Sequence, residues 1–252
     1  MSNIYEKDTY INPNIFYTFN TDIMEYDIKR AGINIAREYN IIDNDTYNKL
    51  INMPKDDSNK ALGRMQIDNA DFINRLKLAF IDTRKRFFEL NQLDDSDIIS
   101  IKKDAIFITK PCAITNIGNF IEFRIKNTYT SYIRLDKNIE LYYNSDHIDV
   151  KGINSNKLKL HENYMLDLFN KFFIKMETDT PEDVISYMRR FIDKYKRKEL
   201  DSGYYRRFDS VSDFDVNLPE GEYIFNADIH KEYIDIQYNL NKVLIKLIKI
   251  PI

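Results

Sequence analysis

Two aspartates stand where a carboxylate would be rigidly aimed. Asp27 is the last polar residue of an apolar run, DIMEYDI, and a helical pattern follows directly. Asp104 sits at the bend of ISIKKDAIFI, residues 99–108, whose two arms are rich in β-branched and aromatic residues. Carboxylates carried to the ends of adjacent strands could share two Mg²⁺ or Mn²⁺ ions. Ions about 3.5–4 Å apart clamp the attacking and leaving oxygens of an in-line phosphoryl displacement. Mg²⁺ is satisfied by one or two protein carboxylates when substrate phosphates complete its shell. Each aspartate also has a plainer role open to it. Asp27 could cap the helix behind it, and Asp104 could be an ordinary turn residue.

Cations accompany these carboxylates. Arg75, Arg84, Lys85 and Arg86 lie along one long helical segment with Lys77, in a pattern that suits either phosphate binding or a solvated face. Lys126 and Tyr129, with Tyr132 and Arg134, could hold a nucleic-acid backbone and stack on bases, or simply pack within strands. Lys194, Lys196, Arg197 and Lys198 close a helix, where the dipole favours cations without any ligand. Cys112 is the single cysteine, which excludes an internal disulfide and a cysteine-based zinc cage. His147, His161 and His230 are too irregularly spaced for a local metal motif.

The elements that must position these residues follow from periodicity. Residues 23–28 predict a strand, and Ala31, Ile35, Ala36 and Tyr39 a helix after it. Residues 43–62 predict a short helix and then a polar loop, PKDDSNK. Residues 70–91 carry Phe72, Leu76, Phe80, Phe87 and Leu90 at helical spacing, with Asp71 as the expected N-cap. Strands are expected over 99–108 as a hairpin and over 120–126, 130–135, 139–143 and 147–150. Two amphipathic helices follow from about 157, the first with a stripe of Leu160, Tyr164, Leu168 and Phe172. The second is opened by Thr180 and Pro181. Residues 1–20 could form an arm or a first strand, and Val243–Ile252 a core strand or a docking strand. The expected class is α+β, an antiparallel sheet with packed helices and a helical C-terminal part. Residues 1–156 are expected to form the sheet-bearing domain and 157–252 the helical one.

The 252 residues suffice for one or two domains with a sizeable core. A net charge of −3 excludes a uniformly basic nucleic-acid coat protein, so any such contact must be local. No segment approaches the length needed to cross a bilayer, and the opening MSNIYEKDTY lacks the features of a secretory signal. A cytoplasmic location is expected, the host cytoplasm for a viral protein. Abundant Asn, Ile, Lys, Asp and Tyr point to an AT-rich genome, as in low-GC bacteria, their phages and some large DNA viruses.

DIMEYDIKRAGINI is similar to motif A of the palm domain of nucleic-acid polymerases, in which an apolar strand delivers an Asp. SIKKDAIFI is similar to motif C, the palm hairpin with the second metal-binding Asp. FRIKNTYTSYI and IDVKGI resemble the stretch of family B DNA polymerases that contacts the primer duplex and leads into the thumb. These pieces occur in the family's order over roughly residues 20–200. The resemblance implies a palm-like sheet, a reduced thumb, and Mg²⁺ or Mn²⁺ held by Asp27 and Asp104. It further implies a triphosphate near Lys60 and Arg64, and a duplex facing Lys126, Tyr129 and Lys151. Lys102 stands where motif C carries its first acid, and NKALGRMQ lacks the Tyr-Gly of the fingers helix. The expected function is metal-dependent nucleotidyl transfer or template-associated nucleic-acid handling in a virus or phage, with protein partners supplying missing subdomains. The alternative is a non-catalytic subunit of a viral replication, transcription or virion assembly.

Overall fold

A computed structural model of the chain describes residues 3–134, 139–152, 162–197 and 199. A 3₁₀ turn, Ile4–Glu6, precedes β1 (Thr9–Ile11), β2 (Tyr17–Thr18), β3 (Ile23–Ile28), α1 (Ala31–Glu38), α2 (Asn44–Ile51), α3 (Lys55–Asp68) and α4 (Ala70–Leu90). Then come β4 (Ile98–Lys102), β5 (Ala105–Ile108), β6 (Phe123–Tyr129), β7 (Ser131–Arg134), β8 (Glu140–Tyr143) and β9 (Ile148–Lys151). Helices α5 (Glu162–Thr178) and α6 (Pro181–Lys196) follow. The class is α+β, as the periodicity predicts.

The chain divides into two compact units. One holds residues 1–13 and 22–128, the other residues 14–21 and 129–252. The expected boundary at 156/157 lies outside the described residues.

The first unit is built on a five-stranded sheet of order β1-β4-β5-β3-β6. β3 pairs antiparallel with β5, matching Met24 with Ile108 and Tyr26 with Ile106, and β5 pairs antiparallel with β4. The expected strand and hairpin are therefore neighbours in one sheet. Alternation along β3 sends Met24, Tyr26 and Ile28 to one face, where they join Ile106, Ile108 and Phe123 in the core. Ile35 and Ala36 of α1 and Phe72, Leu76, Ala79 and Phe87 of α4 belong to the same core. Burying each large apolar side chain stabilises the fold by about 1.5–3 kcal/mol. The same alternation sends Ile23, Glu25 and Asp27 to the opposite face.

Local chemistry corrects several sequence expectations. The stretch read as a polar loop, PKDDSNK, is the N-terminal half of α3. Pro54 stands at its N-cap, and Asp56 and Asp57 in its first turn complement the helix dipole. Asn69, not Asp71, caps α4, its side-chain oxygen accepting from the Phe72 amide at 3.1 Å. Asp27 caps nothing on α1, because the N-cap there is Arg30, in the left-handed region at φ 50°. The Arg30 guanidinium instead donates to the Ile51 and Met53 carbonyls at 2.7 and 2.8 Å, tying the end of α2 to the β3–α1 junction.

The second unit carries a four-stranded antiparallel sheet of order β2-β7-β8-β9. Ile133, Leu141 and Tyr143 pack with Leu168, Phe169, Phe172 and Phe173 of α5 and with Val184, Met188 and Phe191 of α6. The Tyr143 and Phe173 rings stack with centroids 4.7 Å apart. Thr180 caps α6, its hydroxyl accepting from the Asp183 amide at 3.3 Å. Leu160, the side chains of Tyr164 and Lys196, residue Lys198, His161, His230 and the segment 243–252 lie outside the described residues.

Candidate functional site

The site grows out of the β3/β5 register. Tyr26 lies opposite Ile106, so Asp27 comes next, beside the Ala105 end of β5. Lys102 pairs with Ala105 and closes a two-residue turn of Lys103 and Asp104. The two aspartates are brought within electrostatic reach of one another. Burial pushes the Asp104 carboxyl above its usual range, and the Asp27 charge pushes it the same way, against Lys103 and Lys126. Like charges held together at a sheet end are an arrangement that a divalent cation relieves.

The turn carrying Asp104 is held from behind. Lys103 adopts φ 59°, a left-handed conformation that costs a non-glycine residue about 1–2 kcal/mol. Its amide donates to the Asp8 carbonyl at 2.7 Å, and its carbonyl accepts from Arg84 Nη1 at 3.1 Å. Arg84 also donates to the Tyr5 carbonyl at 2.7 Å and to Asp8 Oδ1 at 3.3 Å. Arg84 is thus no surface phosphate ligand. It is only 2% exposed, and its fork fixes the hairpin that aims Asp104. Burial lowers the basicity of Arg84, and Asp8 offsets part of that loss.

The rest of the supposed basic face is dispersed. Lys85 is exposed and pairs loosely with Glu89 at 3.9 Å, while Arg86 turns to the Ile117 carbonyl. Arg75 donates to the Asn40 carbonyl at 3.0 Å. Successive helical residues point about 100° apart, so three consecutive cations cannot share one face. Lys60 and Arg64 are both exposed on α3, four residues apart and hence on one side of that helix.

Two cations do meet the carboxylates. Arg124 and Lys126 alternate along β6, the edge strand beside β3. Arg124 Nε lies 3.3 Å from Asp27 Oδ1, and Lys126 Nζ lies 2.8 Å from Glu25 Oε1. Asn127 donates to the other Glu25 oxygen at 2.6 Å. Sequence reasoning missed Glu25 and Arg124. The available signal was a second acid, two residues from Asp27, in a strand otherwise apolar apart from Asp27 itself.

Tyr129 and Lys151 belong to the second unit. Tyr129 is buried, so it offers no stacking surface, and its hydroxyl donates a short hydrogen bond to Asp149. Lys151 Nζ also contacts Asp149, at 3.3 Å. Burial raises the Asp149 carboxyl, but the Tyr129 hydroxyl and the Lys151 ammonium outweigh it, and the net shift is downward. Tyr132 is likewise buried, donating to Glu140, and Arg134 lies over the Phe16 ring.

The donor set fits a metal that relies on its substrate. Among the described residues no three His, Cys, Asp or Glu side chains gather into a metal cage. Asp27 and Asp104 are a pair of hard oxygen donors, suited to Mg²⁺ or Mn²⁺ completed by phosphate oxygens. Cys112 is a half-buried thiol pushed up to about 11 by burial, and so unreactive at neutral pH. A groove of about 370 Å³ is lined by Leu76, Lys77 and Phe80 of α4 together with Asp8, Arg84 and Lys103, which hold the Asp104 turn.

An α+β protein with a helix-backed antiparallel sheet and a mixed-charge cluster on the other face is what the chain forms. The chain belongs to the Bacteriophage PBS1 gene 130 protein family, whose model matches residues 1–252. It is therefore a phage-type protein, in keeping with the origin its composition suggests. No curated protein matches it. No helix among the described residues is long and apolar enough to cross a membrane.

Proposed function

We propose that the first unit is a polymerase-palm-like module in which Asp27 and Asp104 hold Mg²⁺ or Mn²⁺ for nucleotidyl transfer on nucleic acid. The observation that carries this reading is the antiparallel β3/β5 register, which sets Asp27 beside the Asp104 turn on a sheet backed by α1 and α4. Bound metal would lower the pKa of an attacking hydroxyl and stabilise the departing phosphates. Asp27 presents its carboxylate from the end of β3, and Asp104 does so from a turn that Arg84 and Asp8 immobilise. Both are therefore held before substrate arrives, the condition for efficient positioning. Lys60 and Arg64, side by side on α3, are the candidates for the triphosphate.

The reading includes partner chains. Only α2 and α3, of 8 and 14 residues, stand between the β3–α1 element and α4, too little to close over a nucleotide. The same observation, with Lys102 at the end of β4, favours a second reading, a non-catalytic subunit of a phage replication or transcription assembly. Primer extension with Mg²⁺ or Mn²⁺ separates them. The isolated chain should give short products or none, and restoring its native phage partners should give extension that Asp27→Asn and Asp104→Asn abolish. No product with partners restored would remove the enzymatic reading, and long products from the isolated chain would remove the need for partners.

A further inference from the structure

Arg124 and Asp27 form an asymmetric pair. The Asp27 side chain is 17% exposed and the Arg124 side chain 52%, so the anion faces the protein and the cation faces solvent. Lys126 and Glu25 repeat the pattern at 45% and 2%. Both cations project from one edge strand, two residues apart, beside the Asp27 and Asp104 carboxylates. The Arg124 guanidinium, half in water, is held weakly on Asp27, because water and salt screen it and side-chain entropy opposes it. It is readily exchanged for a stronger partner.

We propose that Arg124 is an exchangeable counter-ion and phosphate receptor of this site, an inference that rests on the metal-site reading above. Without metal, its guanidinium neutralises Asp27. When a divalent cation takes the Asp27 carboxylate, the guanidinium is displaced by like-charge repulsion and becomes a free fork beside the metal. A planar fork matches two oxygens of a phosphate, so the displaced Arg124 binds the phosphate chain of an incoming nucleotide. Lys126 remains on Glu25 as a fixed positive charge at the same edge, adding to the field that draws phosphate in. The site thereby couples metal and substrate, since each makes room for the other.

This coupling requires opposite effects from one substitution. Arg124→Gln should tighten Mn²⁺ binding in the absence of nucleotide by about three- to fivefold, because a competitor of modest strength is gone. With Mn²⁺ saturating, the same variant should bind a non-hydrolysable nucleoside triphosphate analogue about tenfold more weakly, the loss of a charge-assisted contact. Arg124→Lys keeps the charge without the fork. It should leave Mn²⁺ affinity near wild type and still weaken the analogue. Titration calorimetry on the full chain reads both affinities, and thermal melting confirms that the variants fold. If wild type and Arg124→Gln bind Mn²⁺ equally through Asp27, or if the analogue binds both equally, Arg124 is a static surface pair and the inference is overturned. If neither binds Mn²⁺ in a manner sensitive to Asp27→Asn, the underlying metal-site reading fails, a separate and distinguishable result.

Discussion

In the first unit, Glu25 and Asp27 face Lys126 and Arg124, cations that reach solvent. In the second, Glu140 and Asp149 accept hydrogen bonds from the buried hydroxyls of Tyr132, Tyr142 and Tyr129. Both sheets place carboxylates on strands, yet their chemistry differs because the partners differ. A tyrosine hydroxyl locked in a packed ring cannot leave, so the carboxylate it holds is a structural fixture. A half-exposed guanidinium can leave, so its carboxylate stays available. The contrast makes the first sheet, rather than the second, the place where the proposed ligand chemistry would sit.

The largest effect expected from this contrast is at Glu140. Its Oε1 accepts from Tyr132 at 3.2 Å and from Tyr142 at 3.0 Å, and the residue is fully buried. Glu140→Ala leaves two buried hydroxyls without that acceptor and opens a cavity, and should cost about 3–4 kcal/mol in chemical denaturation. A cost below about 1 kcal/mol would show that the carboxylate is not a fixture.

Tyr129→Phe should cost about 1–2 kcal/mol near neutral pH, the worth of a hydrogen bond to a charged group. Its pH dependence has a definite sign. The Asp149 carboxyl is lowered, so its contribution is present above the unfolded value and is lost as pH falls through the folded one. The penalty of Tyr129→Phe should therefore shrink in acid.

Asp104 should behave oppositely. Its carboxyl is raised by burial and by Asp27, so folding favours the protonated form, and stability is lost as pH rises through the folded value. Asp104→Asn should raise the melting temperature at neutral pH and much less at pH 3. A destabilised Asp104→Asn at neutral pH would mean that this carboxylate holds the fold together, as those of the second sheet do.

The smallest change is expected at the Arg124 pair, whose cation is half in water. Arg124→Gln should alter stability by less than about 1 kcal/mol. A larger loss at Arg124 would erase the difference between the two sheets.

Much of the first sheet is legible in the amino-acid sequence. The apolar run ending in Asp27 and the hairpin around Asp104 announce themselves by their period of two, and their pairing follows the expected order. Arg84 is not legible, because three adjacent cations read as one patch while the helix turns each about 100° from the next. Its partners Tyr5, Asp8 and Lys103 are supplied by two other segments of the chain. Arg124 and Glu25 pair with residues about a hundred positions away, a distance over which no local pattern speaks. Tyr129 is misjudged because a buried tyrosine and a stacking tyrosine look alike in sequence. Helix α3 is hidden by its polarity, though Ser58 and Leu62 are buried.

The proposed metal pair is most directly tested by counting bound Mn²⁺ through loss of the free-ion electron paramagnetic resonance signal, with a non-hydrolysable nucleoside triphosphate analogue present. Wild-type chain should bind Mn²⁺ more tightly with the analogue than without it, since phosphate oxygens complete the shell. Asp27→Asn and Asp104→Asn should each lose at least tenfold in that affinity while remaining folded. Mn²⁺ uptake that is the same in wild type and in both variants would contradict a metal site at Asp27 and Asp104.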